Sequence, residues 1–324
     1  MSTSAGREPN GELRDFLRSR RARISPAEAG LGPDVAGRRR VPGLRREEVA
    51  RLAGISVDYY VRLERGRNPS VSASVLEAVA RALRLDQAER AHLFALARPR
   101  PGSARRRPVP PQRVRPGLLR LLDSLTDTPA MIMGHRLDVL ATNALAKALY
   151  TDFDALPHRD RNLARFLFLD PAARDLIADW ETAARGTVAA LRLYAGRHPH
   201  DPRLTELVGE LSVHDEDFRQ WWADHDVLAY THGTKHYRHP LAGELALEYE
   251  SLTLPDDPDQ ALYLYTAEPG SPSAHALRLL GSWSAADLTA GRTPQPAPDI
   301  EATARLGHPD HAADTPPGST GRDH

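Results

Sequence analysis

Apolar residues recur every three or four positions along the first third of the chain, which predicts consecutive short helices. Leu13, Phe16 and Leu17 form such a stripe on the first of them. The predicted helices cover residues 12–23, 45–53, 56–65, 72–83 and 86–97. Asp86 and Glu89 have the spacing of a capping box at the start of the last one. This part of the chain is therefore predicted to be all α.

From residue 117 the pattern changes between helical and strand periods. Apolar residues predict a helix over residues 118–125 and two strands over 130–133 and 137–142. A helical middle is predicted over residues 143–150, 163–169, 171–196, 203–211 and 215–225. Alternating apolar and polar residues predict strands over residues 234–239, 244–254 and 262–268. The order predicts an α+β domain with helices on one face of a sheet.

Composition suggests where these parts end. A length of 324 residues suits about two domains. Residues 98–116 hold 6 prolines and 7 arginines, a composition typical of an extended linker. The last residues are rich in proline and poor in large apolar side chains, which predicts a disordered tail. The predicted division is a helical domain at 1–97, the linker at 98–116, an α+β domain at 117–285 and the tail at 286–324.

Charge separates the two halves, although the net charge is zero. Residues 1–116 carry 25 arginines, no lysine and 12 acidic residues, a net charge of +13. The remainder carries 18 basic and 31 acidic residues, a net charge of −13. A basic N-terminal half favours a polyanionic partner such as nucleic acid. An alternative interpretation is an arginine-rich surface that is merely solvated.

Several classes of protein are not indicated by the sequence. There are no cysteines, which excludes disulfides, a thiol nucleophile and cysteine metal sites. No apolar run approaches the about 20 residues that span a bilayer, and no apolar signal segment stands at the start. Motifs for dinucleotides, phosphate loops and nucleophile elbows are missing. We therefore expect a cytoplasmic protein that is not an enzyme, has no cofactor and does not bind a membrane.

Residues 44–66 have the pattern of two helices that meet at a sharp turn. Val49, Ala50 and Ala53 give the first helix a thin apolar face. Gly54 permits a left-handed turn, and Ile55 fills the corner. Tyr60 and Leu63 then return to the core on the second helix. This spacing predicts a helix-turn-helix.

The second helix of the pair presents polar chemistry outward. Ser56 can cap it, and Val57, Asp58, Tyr59 and Arg62 are predicted to lie on its outer face. Arg62 can donate two hydrogen bonds to guanine, Asp58 can accept one from cytosine, and Val57 can contact a thymine methyl. A solvated ion pair between Asp58 and Arg62 is the alternative interpretation.

These residues resemble the helix-turn-helix of Xre-type regulators, which are related to phage repressors. The resemblance implies base-reading positions at Ser56, Val57, Asp58 and Arg62, with Tyr59 on base or backbone. It implies phosphate contacts for Arg46, Arg67 and Asn68, and double-stranded DNA as partner. Because a single recognition helix reads only a few base pairs, we expect a homodimer that reads two half-sites. Glu64 is expected to form a structural ion pair with an arginine instead of contacting DNA. Residues 30–43 form an insertion before the motif whose role the resemblance does not define.

The second half resembles the MmyB-like ligand-binding domain, which has a PAS-like fold. The likeness rests on VLATNA at 139–144, NLARFLFLD at 162–170, LVGELSV at 207–213, FRQWWADHD at 218–226 and YLYTAEPGSPS at 263–273. It implies a sensor for a small, apolar, fatty-acid-like ligand. The predicted pocket residues are Arg165, Phe166, Trp180, Tyr194, Trp221, Trp222, Tyr230, Arg238 and Tyr263. Arg165 and Arg238 are the candidate partners of a ligand carboxylate.

Two other functions remain open for this half. In the first, it holds no ligand and serves only for dimerisation or for docking another protein. In the second, His232, His236 and His239 bind zinc and form an enzyme tethered to DNA. Because side chains alternate along a strand, His236 and His239 should point to opposite faces, which argues against zinc.

Overall fold

The computed structural model of the chain describes residues 10–31, 43–67, 71–98, 112–226 and 232–290. Its N-terminal part is helical, as the periodicity predicts, and each helix lies within one residue of its predicted bounds. The helices are α1 (Gly11–Arg23), α2 (Arg46–Ala53), α3 (Val57–Glu64), α4 (Ala73–Ala82) and α5 (Gln87–Ala97).

Side-chain caps determine where these short helices begin. Ser56, Ser72 and Asp86 each accept a hydrogen bond from the backbone N–H three residues further on. The capping box is confirmed, because the Glu89 carboxylate in turn accepts a hydrogen bond from the Asp86 N–H at 3.1 Å. Each cap is worth about 1 kcal/mol. Helices of this length are marginal alone, so packing supplies the rest.

The N-terminal helices share one core. It contains Phe16 and Leu17 of α1, Val49 of α2, Tyr60 of α3 and Leu76 of α4, all fully buried. Burial of a large apolar side chain contributes about 1.5–3 kcal/mol. The apolar stripe found in the sequence is therefore what joins the helices.

The C-terminal part combines a sheet with helices and confirms the α+β prediction. Its strands are β1 (Ala130–Met133), β2 (Val139–Thr142), β3 (His232–His239), β4 (Gly243–Leu254) and β5 (Asp257–Thr266). Its helices are α6 (Pro116–Ser124), α7 (Ala144–Leu149), α8 (Leu163–Leu169), α9 (Pro171–Leu176), α10 (Trp180–Arg197), α11 (Pro202–His214), α12 (Glu216–Ala223) and α13 (Pro272–Ala290). The strands form one antiparallel sheet in the order β2-β1-β5-β4-β3.

The sequence predicts helices on one face of the sheet, but in the structure they cover both faces. Most of them pack over the face to which Met131 and Tyr265 point, and form the main core there. On the opposite face, Leu122 of α6 packs against Ile132 and Leu262. Leu118, Leu122 and Leu125 occur at helical spacing, so α6 has its own apolar stripe to bury.

Several predicted boundaries are wrong, including that of β5, which begins at Asp257 instead of residue 262. The single helix predicted over residues 171–196 is broken between α9 and α10, because Ile177 pairs with Tyr237 of β3 and the Ala178 N–H donates to the His236 carbonyl at 2.9 Å. Helix α13 continues to Ala290, so the start of the expected tail is helical. The rest of that tail, most of the linker and most of the insertion at 30–43 lie outside the described residues.

The described chain up to Ala285 forms one compact unit, in which the N-terminal helices pack directly on the α+β part. The contact runs from α1 and α5 to α10 and to residues 224–226 after α12. Within the described ranges, no helix combines the length and apolar character needed to cross a bilayer.

Candidate nucleic-acid interface and ligand cavity

The turn between α2 and α3 has the geometry that its sequence predicts. Gly54 adopts a φ of 66°, a left-handed conformation that favours glycine, and its N–H donates to carbonyls at the end of α2. The Ile55 N–H donates to the Ala50 carbonyl at 3.0 Å. Tyr60 and Leu63 are fully buried beneath α3. These contacts fix the angle at which α3 leaves the turn.

The opposite face of α3 is open to solvent. Val57 is 44% exposed, a high value for an apolar side chain, and Ser56, Asp58 and Arg62 are exposed beside it. Tyr59 is half-buried, and the Arg62 guanidinium lies 5.9 Å from the centre of its ring. In the described part of the chain Arg62 forms no ion pair with Asp58. Both side chains are therefore accessible to a partner at the start of α3.

Glu64 holds three helices together. Its carboxylate is 1% exposed and pairs with Arg21 of α1 at 2.8 Å and with Arg46 of α2. These contacts agree with the structural ion pair that we expect for Glu64 from the sequence. The Arg46 side chain remains 46% exposed, so its outer face is accessible while its Nε is held. Arg67 is exposed after Gly66, and Asn68 lies outside the described residues.

A cavity of about 200 Å³ lies between α10 and β3. Its lining includes the apolar side chains of Met133, Leu137, Leu163 and Ile177. Helix α10 and the strands supply the walls, which include Ala183, Gly186, Thr187, Ala190, Gly233, Lys235, Tyr249 and Tyr263. Asp179, Thr182, His232, Thr234 and His236 complete the lining. The cavity can take a small ligand with an apolar body.

Tyr263 is the one predicted pocket residue that borders this cavity in the described structure. Phe166, Trp180 and Trp221 do not border this cavity. Phe166 and Trp221 are buried in the core, and the Trp180 indole N–H donates to the Leu167 carbonyl at 2.9 Å. Aromatic residues at helical spacing served packing here instead of ligand contact.

The other predicted pocket residues are also engaged elsewhere. The Tyr194 hydroxyl donates to Asp201 at 2.8 Å, and Trp222 stacks on Phe218. Arg165 pairs with Glu210 and borders a separate polar cleft with Arg136 and Arg159. Arg238 is exposed on the outer face of β3, and Tyr230 lies outside the described residues. The cavity therefore has a different set of side chains from the predicted one.

Lys235 is the charged residue that sequence reasoning missed. It lies on the inward face of β3, in line with the buried Tyr237, because side chains two apart share a face. Its Nζ lies 5.0 Å and 5.6 Å from the ring centres of Tyr249 and Tyr265. Burial lowers the pKa of Lys235 to about 8. Two features of the sequence could have indicated this residue: the alternation of side chains along the strand, and a lysine in a chain whose basic residues are almost all arginine.

The three histidines of β3 do not converge. The His236 Nδ1 lies 2.7 Å from an Asp179 carboxylate oxygen. His239 points to the opposite face, where its Nε2 lies 2.9 Å from the Ala148 carbonyl. His232 borders the cavity. Among the residues described, no group of three histidines or acidic residues could hold a metal ion.

Two buried arginines join the N-terminal helices to the α+β part. Arg192 of α10 is 2% exposed and donates to Glu12 of α1 at 2.8 Å. In return Arg20 of α1, 3% exposed, donates to Asp226 at 3.1 Å. The arginines are buried but their carboxylate partners stay nearly half exposed, 45% for Glu12 and 43% for Asp226, so removal of a carboxylate would leave a buried guanidinium with fewer partners. This reciprocal pairing therefore fixes how the two parts dock.

His92 of α5 is buried in the same contact between the N-terminal helices and the α+β part. Its ring is 1% exposed and packs edge-on against Phe16, while Gly196 of α10 touches its other side. Burial, together with the charges of Arg192 and Arg20, lowers the pKa of His92 to about 3. The imidazole is therefore neutral at physiological pH, and the docked arrangement favours that form.

Comparison with protein-family models matches two regions of the chain. Residues 114–280 match the MmyB-like transcription regulator ligand binding domain, and residues 12–93 match a helix-turn-helix domain. A comparison with curated proteins found no match. The first match covers more than half of the 324 residues and includes the whole sheet. The chain belongs to the MmyB-like transcription regulators, DNA-binding proteins that join a helix-turn-helix to a ligand-binding domain.

Proposed function

We propose that the protein binds a specific duplex site through α3 and that a small, apolar, fatty-acid-like ligand in the α10–β3 cavity changes its affinity for that site. The observation that carries the proposal is the exposed face of α3. Ser56, Val57, Asp58 and Arg62 are open to solvent there, above a rigidly buried Tyr60 and Leu63.

The chemistry of this face suits base recognition in a major groove. Arg62 can donate two parallel hydrogen bonds to guanine O6 and N7, which is worth about 1–3 kcal/mol of discrimination. Asp58 can accept from cytosine N4. An α3 of 8 residues is about 12 Å long and reaches only a few base pairs. We therefore propose that a homodimer reads two half-sites about one helical turn apart.

Helix α10 supports a route from ligand to DNA. Its N-terminal half borders the cavity through Ala183 and Gly186, and its C-terminal half carries Arg192 and Gly196 at the joint with α1 and α5. A rigid helix that moves at one end also moves at the other. A ligand shifts the docking of the DNA-binding helices only by its difference in affinity for the two arrangements.

Separate arginine variants test the DNA-binding half. Selection from random duplexes first gives the preferred site. We expect Arg62→Ala to cost about 1–3 kcal/mol on that site and to relax preference at one position. Arg46→Ala should weaken all sequences alike and reduce the salt slope by about 1. Equal loss of preference in both variants would contradict the assigned roles.

The ligand-binding half is tested by filling its cavity. Ala183→Trp should abolish the response of DNA affinity to molecules that co-purify with the protein and are identified by mass analysis. Glu181→Trp, which places the same side chain at an exposed position of α10, is the matched control. A protein that releases no small molecule and whose dimerisation is unaffected by Ala183→Trp would favour a pure docking or dimerisation module.

A further inference from the structure

The contact between the N-terminal helices and the α+β part, here called the joint, is polar at its centre. Helices α1 and α5 form one side of it, and α10 with residues 224–226 forms the other. Arg20, His92 and Arg192 are each at most 3% exposed in this contact, and His225 lies beside them with 13% of its side chain exposed. Two imidazoles and two guanidinium groups are therefore brought together where solvent has little access.

Among the described residues, the imidazole of His92 has no hydrogen-bond partner. Neither its Nδ1 nor its Nε2 makes a hydrogen bond there, and the same holds for Nδ1 of His225. Phe16 and Gly196 lie against the two sides of the His92 ring and offer no side-chain acceptor. A protonated imidazole carries two N–H donors, and burial of a charge is unfavourable unless the charge is paired and hydrogen-bonded. The joint therefore favours His92 as a neutral ring.

The carboxylates of the joint are already paired with arginines. Glu12 pairs with Arg192 at 2.8 Å, through the same oxygen that lies 3.9 Å from Nδ1 of His225. Asp226 pairs with Arg20 at 3.1 Å. A proton added to either ring therefore meets two buried guanidinium charges, and the carboxylates that face it are engaged. The charged groups that face the two histidines are Glu12, Asp15, Arg20 and Arg23 of α1, Glu89 of α5, Arg192 and Arg197 of α10, and Asp226 after α12.

Closing the joint lowers the pKa of both histidines. Burial, followed by the charges of Arg192 and Arg20, lowers the pKa of His92 to about 3. Burial and the charge of Arg192 lower the pKa of His225 to about 4. Once exposed, an imidazole returns to a pKa of about 6.5. The closed joint therefore keeps its full stability above about pH 6.5 and loses it as the pH falls, by up to about tenfold per pH unit for each histidine.

Each side of the joint has a core of its own. The core of the N-terminal helices consists of residues between Leu13 and Ala97, and the main core of the α+β part consists of residues between Met131 and Leu280. Opening the joint therefore leaves both cores intact. We propose that the joint is a pH-sensitive switch, in which protonation of His92 and His225 detaches the DNA-binding helices from the α+β part while both stay folded. The switch does not depend on what the cavity binds.

Single-molecule fluorescence energy transfer on the full chain measures the open fraction directly. The chain has no cysteine, so cysteines placed at the exposed Arg81 of α4 and Val213 of α11 carry the two dyes. The pH is lowered from 7.5 to 5, which stays above the range in which Asp and Glu ordinarily titrate. The ratio of open to closed molecules should rise by about 30-fold for each of the two histidines. Circular dichroism at the same pH values should show an unchanged helical content.

Variants that cannot be protonated isolate the two histidines. His92→Phe keeps an aromatic ring against Phe16, and His225→Asn supplies a residue that tolerates the left-handed φ of 55° found there. Each should remove about 30-fold from the rise in the ratio of open to closed molecules, and the double variant should lose the pH response. His158→Gln, at an exposed position of the turn over residues 158–160, is the matched control and should respond as the wild type does.

The outcomes distinguish a switch from acid unfolding and from a joint that does not respond to pH. Opening that keeps the helical content and disappears in the double variant supports the proposal. An open fraction that stays the same down to pH 5 overturns it. Opening together with loss of helical content is unfolding, and a pH response that survives in the double variant belongs to other groups, so either result also overturns the proposal. The proposed DNA contacts of α3 are tested separately and stand or fall independently of the joint.

Discussion

Substitution of Gly196 by alanine tests how the DNA-binding helices dock on the ligand-binding domain. A Cβ at this position would lie 2.4 Å from Cε1 and 2.5 Å from Nδ1 of His92, closer than real contacts permit. The His92 ring has little room to retreat because Phe16 packs against it at 5.0 Å. Overpacking of this kind costs about 1–3 kcal/mol.

Gly209 of α11 provides the matched control, because an added Cβ meets no described atom within 4 Å. Replacing a helical glycine by alanine stabilises by about 1 kcal/mol, so Gly209→Ala should raise Tm by about 2–4 °C. Gly196→Ala should lower Tm despite the same gain in helix propensity. In a His92→Ala background, where the ring is absent, Gly196→Ala should become stabilising. Calorimetry that finds the two glycine substitutions equally stabilising in the wild-type background would refute the docked arrangement.

Two further predictions concern stability. Both Gly54 and Gly66 have a φ of 66°, but only at Gly66 would an added Cβ meet described backbone, 2.5 Å from the Asn10 oxygen. Gly66→Ala should therefore lower the free energy of unfolding in urea by more than about 3 kcal/mol, and Gly54→Ala by about 1–2 kcal/mol. Equal costs would exclude that close approach. The buried His92 should make the fold sensitive to acid, because its pKa is about 3 in the folded chain and about 6.5 in the unfolded chain. The free energy of unfolding should be constant above pH 6.5 and fall below it, by about 2 kcal/mol at pH 5. His92→Phe should lose less between pH 7 and pH 5, and an equal loss would contradict the neutral, buried imidazole.

The DNA-binding half could be predicted largely from the sequence because its determinants are local. Caps at Ser56 and Asp86, the left-handed Gly54 and the apolar period define the helices within one residue. The break at Ile177 could not be foreseen, since it depends on pairing with Tyr237, 60 positions away along the chain. Local periodicity carries no information on such a contact.

The ligand cavity was predicted poorly for a related reason. Aromatic side chains such as Trp180 and Trp221 fit a core as well as a pocket, and only packing decides between the two. Lys235 gave a signal in the strand alternation, but its position over the cavity depends on how α10 lies against β3. Arg20 and Arg192, which are buried between the N-terminal helices and the α+β part, likewise cannot be distinguished from surface charges in the sequence.

The most direct test of the central claim is the coupling between the two sites. The dissociation constant for the selected duplex is measured with and without a saturating amount of the co-purified ligand, and that for the ligand with and without the duplex. Linkage requires the same factor in both directions, and typical regulators give about 5- to 150-fold. The account predicts equal factors within this range. A ligand that fills the α10–β3 cavity yet leaves the affinity for DNA unchanged would contradict it.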